Sequence, residues 1–146
     1  MTPQDRARRS AEAMWRTDSA SQGMGMTIDE IAPGRAVLSM TVQEHHLNGH
    51  RICHGGFIFT LADSAFAFAC NSYNQTTVAQ ENQITFLSPA KEGEQLTARC
   101  EESAKTGRSG VYDVVVTGSD GRKIALMRGL SRTIQGTHFD EEAPDA

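Results

Sequence analysis

The chain has 146 residues, with a formal net charge of −4 at pH 7 and 38% hydrophobic residues, which predicts one domain with its own core. A net acidic chain lacks the basic footprint that phosphate binding requires, so we expect no nucleic acid as its main partner. Cys53, Cys70 and Cys100 fit neither a disulfide framework nor CxxC metal spacing, which indicates a reducing compartment.

The N-terminal part predicts a short helix followed by a β-hairpin. Apolar residues at near-helical spacing predict an amphipathic helix over residues 5–17. This basic segment has neither the apolar stretch nor the cleavage site of a signal peptide, so we expect a cytoplasmic protein. Residues 23–30 and 35–42 predict two strands, because Pro33 and Gly34 between them favour a turn.

A polar loop over residues 43–53 leads into the most apolar part of the chain. Residues 54–71, HGGFIFTLADSAFAFACN, predict a buried helix, since the apolar run is too long for an average strand. It is also too short to span a membrane, which takes about 20 residues. A helical wheel places small and polar residues on one narrow face: Gly56, Thr60, Asp63, Ser64, Ala67 and Asn71.

Four strands are predicted after this helix, and they decide the fold class. They cover residues 77–87, 95–104, 109–117 and 123–133, with hairpin signals at residues 105–108 and 120–121. Strands gathered after one buried helix predict an α+β fold, in which an antiparallel sheet curls around the helix. An open sheet edge in such a fold favours a homodimer.

The predicted domain organisation is simple. Residues 1–20 form an N-terminal helical segment, and residues 21–135 form the folded domain. The tail, residues 136–146, is acidic and polar, which predicts disorder.

Asp63 is the residue that needs an explanation. A carboxylate in the middle of an apolar helix is costly to desolvate, so it is either neutralised by a neighbour or held for chemistry. The structural alternative is a dimer in which Asp63 pairs with a buried Lys or Arg.

Gly55 and Gly56 lie where the loop turns into the helix, and the first N–H groups of a helix have no internal partner. With the helix dipole behind them, these amides suit a carbonyl or an oxyanion. Asp63 follows eight residues later, a rise of about 12 Å, whereas a reacting atom must lie roughly 3 Å from both groups. If both groups serve one reaction, they come from different protomers.

The remaining polar candidates are less specific on their own. His54 either orients a ligand or caps the helix, and Asn48 before Gly49 is by itself a turn residue. Arg108 and other scattered basic residues either meet phosphates or are solvated surface.

The stretch LNGHRICHGGFIFTLADSAFAFACNS, followed by ITFLSPAKEGEQL and GVYDVVV, resembles the hotdog-fold acyl-CoA thioesterases. Within that superfamily it is most similar to the phenylacetate-degradation thioesterases. The resemblance runs from about Gly23 to Ile134. It implies a long helix wrapped by an antiparallel sheet, assembled into dimers and commonly tetramers.

The resemblance also implies the roles of individual residues. Asp63 would be the catalytic carboxylate and the Gly55 amide would polarise the thioester carbonyl, while Asn48 and His54 shape the site. In related enzymes a Ser or Thr lies on the strand after the helix, but residues 78–82 here read VAQEN. We assign Ala79 and Gln80 from this stretch to substrate binding, together with two further residues, Gly56 and Arg108.

The expected function is hydrolysis of aromatic acyl-CoA thioesters, such as phenylacetyl-CoA or hydroxyphenylacetyl-CoA, without a metal or another cofactor. Two alternatives stay open. One is a hotdog acyl-thioester hydratase or dehydratase that pairs a His with an acid. The other is a non-catalytic acyl-CoA-binding protein.

Overall fold

A computed structural model of the chain describes residues 1–143 and shows a six-stranded sheet around one long helix. The helices are α1 (Pro3–Trp15), α2 (Ser19–Gly23) and α3 (Gly55–Cys70), and a 3-10 turn covers Glu44–His46. The strands are β1 (Thr27–Ala32), β2 (Arg35–Thr41), β3 (Thr77–Phe86), β4 (Gln95–Thr106), β5 (Ser109–Thr117) and β6 (Lys123–Thr133). The antiparallel order β1-β2-β4-β5-β6-β3 confirms the expected α+β architecture.

Five of the six predicted strands match the observed ones to within two residues, because their turn signals are strong; the first, predicted over residues 23–30, instead covers Thr27–Ala32. Gly34, Gly107 and Gly121 all have positive φ angles at the three hairpin turns, a conformation that side chains disfavour. No pattern in the sequence predicts α2. This five-residue helix is too short to show a hydrophobic period, and it is capped by Asp18, whose side chain accepts a hydrogen bond from the Ser21 amide.

The sheet packs closely on α3 around Phe66. This ring is buried and lies 5.6 Å from the ring of Tyr112 on β5. On β6, a Cβ atom added to Gly129 would lie 2.8 Å from two ring atoms of Phe66. The glycine therefore lets the backbone of β6 lie directly against the helix.

The face of α3 with small and polar residues is only partly open. Ser64 forms a hydrogen bond of 2.8 Å with Ser21 of α2. Asn71 is buried and bonds the backbone N–H and C=O of Thr77. The C-terminal half of this face is therefore covered by the chain itself, while Thr60 and Asp63 are half-buried.

One edge of the sheet is β3, which pairs only with β6 among the described strands. Three apolar side chains at this edge are unusually exposed: Val78 at 42%, Phe86 at 50% and Leu87 at 50%. An unpaired strand edge with exposed apolar groups favours pairing with another chain.

Within residues 1–143, no helix is long and apolar enough to cross a membrane.

The expectation of a disordered tail is wrong for the part that the structure describes. His138 lies 2.7 Å from the side-chain oxygen of Asn71, and the backbone amides of His138 and Phe139 donate to Asn74. Glu141 forms a two-pronged ion pair with Arg6 of α1. Contacts with distant residues hold this segment, and they leave no local sequence signal. Residues 144–146 lie outside the described residues.

Replacement of Gly129 tests the close packing of β6 on Phe66. We expect Gly129→Ala to lower the free energy of unfolding by about 1–3 kcal/mol, because the added methyl group overpacks a buried ring. Gly23→Ala is the control, since a Cβ atom there meets nothing within 4 Å. Urea unfolding at one fixed protein concentration measures both variants; equal stabilities would contradict the packing described here.

Candidate active site

The loop before α3 is organised by Asn48. Its side-chain oxygen accepts hydrogen bonds from the backbone N–H groups of His50 and Ile52, at 3.0 and 3.4 Å. Backbone bonds then anchor the loop at both sides, from Cys53 to Ala90 and from His54 to His46. Asn48 is therefore a turn residue, as its sequence alone suggests, and it also lines a pocket at the start of the helix.

Gly55 opens into this pocket. The pocket has a volume of about 450 Å³ and is mostly apolar, with Ile58, Phe86 and Leu87 among its lining residues. The Gly55 N–H is the first of α3 and has no hydrogen-bond partner within residues 1–143. A Cβ atom at Gly55 would lie 3.1 Å from the Phe86 ring, so a larger residue would push that ring. An unpaired amide at the positive end of a helix beside apolar walls suits an acyl carbonyl.

His54 caps the helix. Its Nδ1 atom accepts a hydrogen bond of 2.9 Å from the N–H of Gly56. The Gly56 amide is therefore occupied, and Gly55 is the donor left for a ligand. Because Nδ1 accepts, the neutral ring carries its proton on Nε2.

Asp63 lies half-buried, with Asn82 of β3 as its hydrogen-bond partner. The side-chain nitrogen of Asn82 donates to Asp63 Oδ1 at 2.8 Å. Burial raises the pKa of Asp63 above its ordinary value, and the hydrogen bond from Asn82 opposes part of this rise. No Lys or Arg of the same chain pairs with Asp63 within residues 1–143, so the described residues give no support to a buried ion pair.

No pattern in the sequence singles out Asn82. The one signal in residues 78–82 is the absence of a Ser or Thr. The alternation of the strand is disturbed by a bulge between Ala79 and Glu81, so the inward direction of Asn82 was not readable from its position.

Gly55 and Asp63 do not share a pocket within one chain. Both lie on α3, separated by about 12 Å along its axis. Asp63 is absent from the residues that line the pocket at Gly55. The separation inferred from sequence therefore holds in the folded chain.

The other predicted substrate-binding residues lie apart from this pocket. Ala79 and Gln80 are exposed on the edge strand β3. Arg108 is exposed in the β4–β5 turn, and its carbonyl accepts from the Thr133 amide at the end of β6 where β3 begins. Phe86, which borders the pocket, lies at the opposite end of β3, so within one chain Arg108 is roughly 30 Å away from it.

Within the part of the chain that the structure describes, no three His, Cys, Asp or Glu side chains are placed to hold a metal ion together.

Residues 50–125 match the model of the Thioesterase superfamily. The chain is 41% identical over 132 residues to the acyl-coenzyme A thioesterase PaaI of Escherichia coli strain K12, an alignment that covers 90% of this chain and 94% of that protein. It is 37% identical over 121 residues to a putative esterase of Archaeoglobus fulgidus, covering 83% of this chain and 79% of the other.

Solved structures give the same relationship. The PaaI protein from the phenylacetic acid degradation operon of E. coli superposes with a TM-score of 0.91 and 40% sequence identity. The match covers 93% of this chain and 99% of that one. The TT0310 protein of Thermus thermophilus superposes with a TM-score of 0.75 and 34% identity, covering 78% of this chain and 96% of the other.

The raised pKa of Asp63 predicts how this residue affects stability. Above the ordinary pKa of an aspartate, the unfolded chain loses the Asp63 proton more readily than the folded chain, so stability falls with rising pH until the folded pKa is passed. We expect Asp63→Asn to be more thermostable than the wild type at pH 8, and the difference to shrink as the pH falls and to vanish below about pH 3, where the carboxyl is protonated in both states. Thermal unfolding measured at several pH values tests this; a variant that is less stable at pH 8 would exclude a destabilising carboxylate.

Proposed function

This chain belongs to the thioesterase superfamily, and we propose from this that it is an acyl-CoA thioesterase that acts on aromatic acyl groups such as phenylacetyl. The observation that supports the proposal is the unpaired Gly55 amide beside an apolar pocket, on the same helix as a half-buried carboxylate. The aromatic preference follows from the similarity to the protein of a phenylacetic acid degradation operon.

In the proposed reaction, the thioester carbonyl accepts a hydrogen bond from the Gly55 amide, which stabilises the negative charge that develops on its oxygen. Asp63 of the partner subunit attacks the carbonyl carbon or takes a proton from the attacking water. The carbon–sulfur bond breaks and CoA leaves as a thiolate. Water supplies the hydroxyl of the free acid, and CoA takes up a proton.

Cysteine is not the nucleophile in this scheme. Cys53 and Cys70 are free and buried, and burial raises the pKa of their thiols to about 11 and about 12. These thiols are therefore neutral at physiological pH and react poorly, because the thiolate is the reactive form. Free buried thiols also support a cytoplasmic location.

In this proposal the second subunit pairs with the edge strand β3. Two antiparallel β3 strands related by a two-fold axis would pair their open edges and cover Phe86 and Leu87. The same axis reverses one α3 relative to the other, so that the start of one helix faces the middle of its partner. A homodimer, or a tetramer of two dimers, is the assembly that this site requires.

Loss of the carboxylate tests the function. Against a panel of short aliphatic, phenylacetyl and hydroxyphenylacetyl CoA thioesters, we expect the highest kcat/KM for the aromatic acyl groups. Asp63→Ala should lower kcat at least ~100-fold, since a base or nucleophile is removed. Arg16→Ala, an exposed position at the end of α1, is the control. Near-normal turnover by Asp63→Ala, measured as thiol release, would falsify the assignment.

Mixed dimers test whether the site is shared. Asp63→Ala and Gly55→Val should each be inactive alone. At equal mixing half of the dimers are hybrids with one intact site of two, so about a quarter of wild-type activity should return. If each site belonged to one chain, hybrids would have no intact site. No recovery after subunit exchange, confirmed with differently tagged chains, would exclude the shared site.

A further inference from the structure

Asn82 is the residue of the sheet that contacts Asp63. We propose that Asn82 is a positioning residue for thioester hydrolysis: its side-chain amide holds Oδ1 of Asp63 and leaves Oδ2 as the oxygen that reacts. This inference rests on the proposed function, because it assigns a role in that reaction.

The hydrogen bond defines which oxygen is free. The Asn82 nitrogen lies 2.8 Å from Asp63 Oδ1, while Oδ2 has no hydrogen-bond partner within residues 1–143. This unpaired oxygen is not buried, so it is accessible to a ligand or to water. An ionised carboxylate only accepts hydrogen bonds, so the amide must present its nitrogen to it.

The side-chain oxygen of Asn82 indicates why an amide lies at this position. Its oxygen is buried and has no partner within the described residues. A buried acceptor without a donor lowers stability, and an apolar side chain of similar size avoids that cost. The amide is therefore poorly explained by packing, and its N–H group toward Asp63 is the contribution that remains.

The neighbouring strand β6 determines how close Asn82 of β3 lies to α3. Asn82 is the register partner of Gly129, the residue whose missing side chain lets β6 lie against Phe66. Phe66 follows Asp63 by three residues on α3. The close approach that Gly129 permits on β6 thus places the adjacent β3 residue within reach of the carboxylate.

Few other groups influence the charge on Asp63. No charged side chain within residues 1–143 shifts its pKa. Cys70 on the same helix is a neutral thiol, with a pKa that burial raises to about 12, and Glu81 on β3 is exposed. The Asn82 amide is therefore the described group that favours the ionised form of Asp63.

Two shape-preserving variants test the proposal. Asn82→Leu keeps the number and branching of the side-chain heavy atoms and removes the donor. We expect kcat to fall about 10- to 100-fold with KM nearly unchanged, because the reacting oxygen is no longer held in place. The acid limb of the kcat/KM profile should move to higher pH. Asn82→Asp should move it further, because two adjacent carboxylates raise the pKa of the pair.

Gln83→Ala is the matched control, because Gln83 is exposed next to Asn82 and lines the outer face of the sheet with Asp113 and Arg128. It should keep the wild-type kcat and pH profile. Wild-type kinetics in Asn82→Leu, or a lower kcat without a shifted acid limb in folded variants, would overturn the positioning role. Those outcomes leave the proposed function intact, whereas an active Asp63→Ala variant removes the function itself.

Discussion

The structure depends on the burial of α3 against an open six-stranded sheet, whose edge strands β1 and β3 do not pair with each other. The apolar circumference of the helix provides the core, and the contact between Phe66 and Gly129 fixes how closely the sheet approaches. Helix and sheet are hydrophobic on facing sides, so each covers the surface that the other exposes. This one packing arrangement sets the position of both proposed catalytic groups, the Gly55 amide and the Asp63 carboxylate, because both belong to α3.

The helix keeps the two proposed catalytic groups apart. The Gly55 amide is available because it begins the helix, and Asp63 is desolvated because it lies in the middle. The features that make each group useful therefore prevent the two from meeting within one chain. The open edge of β3 gives a physical route to the second chain that the proposed site requires.

The candidate site also contains groups that lower the stability of the folded chain. Asp63 is a carboxylate with a raised pKa, Asn82 has a buried oxygen without a partner, and Phe86 is exposed beside the Gly55 pocket. Along β5, by contrast, burial alternates regularly, and Gly110, Tyr112, Val114 and Val116 are buried. The departures from packing rules at Asp63 and Asn82 are typical of a functional site.

The sequence alone determined the strand order along the chain, the hairpin turns and the central helix, because alternation, turn glycines and a long apolar run are local signals. It also determined the separation of Gly55 from Asp63, since helical rise depends only on residue count. Tertiary structure alone decided that His54 occupies the Gly56 amide, that residues 138–141 dock on Asn71, Asn74 and Arg6, and that Asn82 reaches Asp63. Most of these contacts join residues far apart in the chain, and their geometry exists only once the sheet has wrapped the helix.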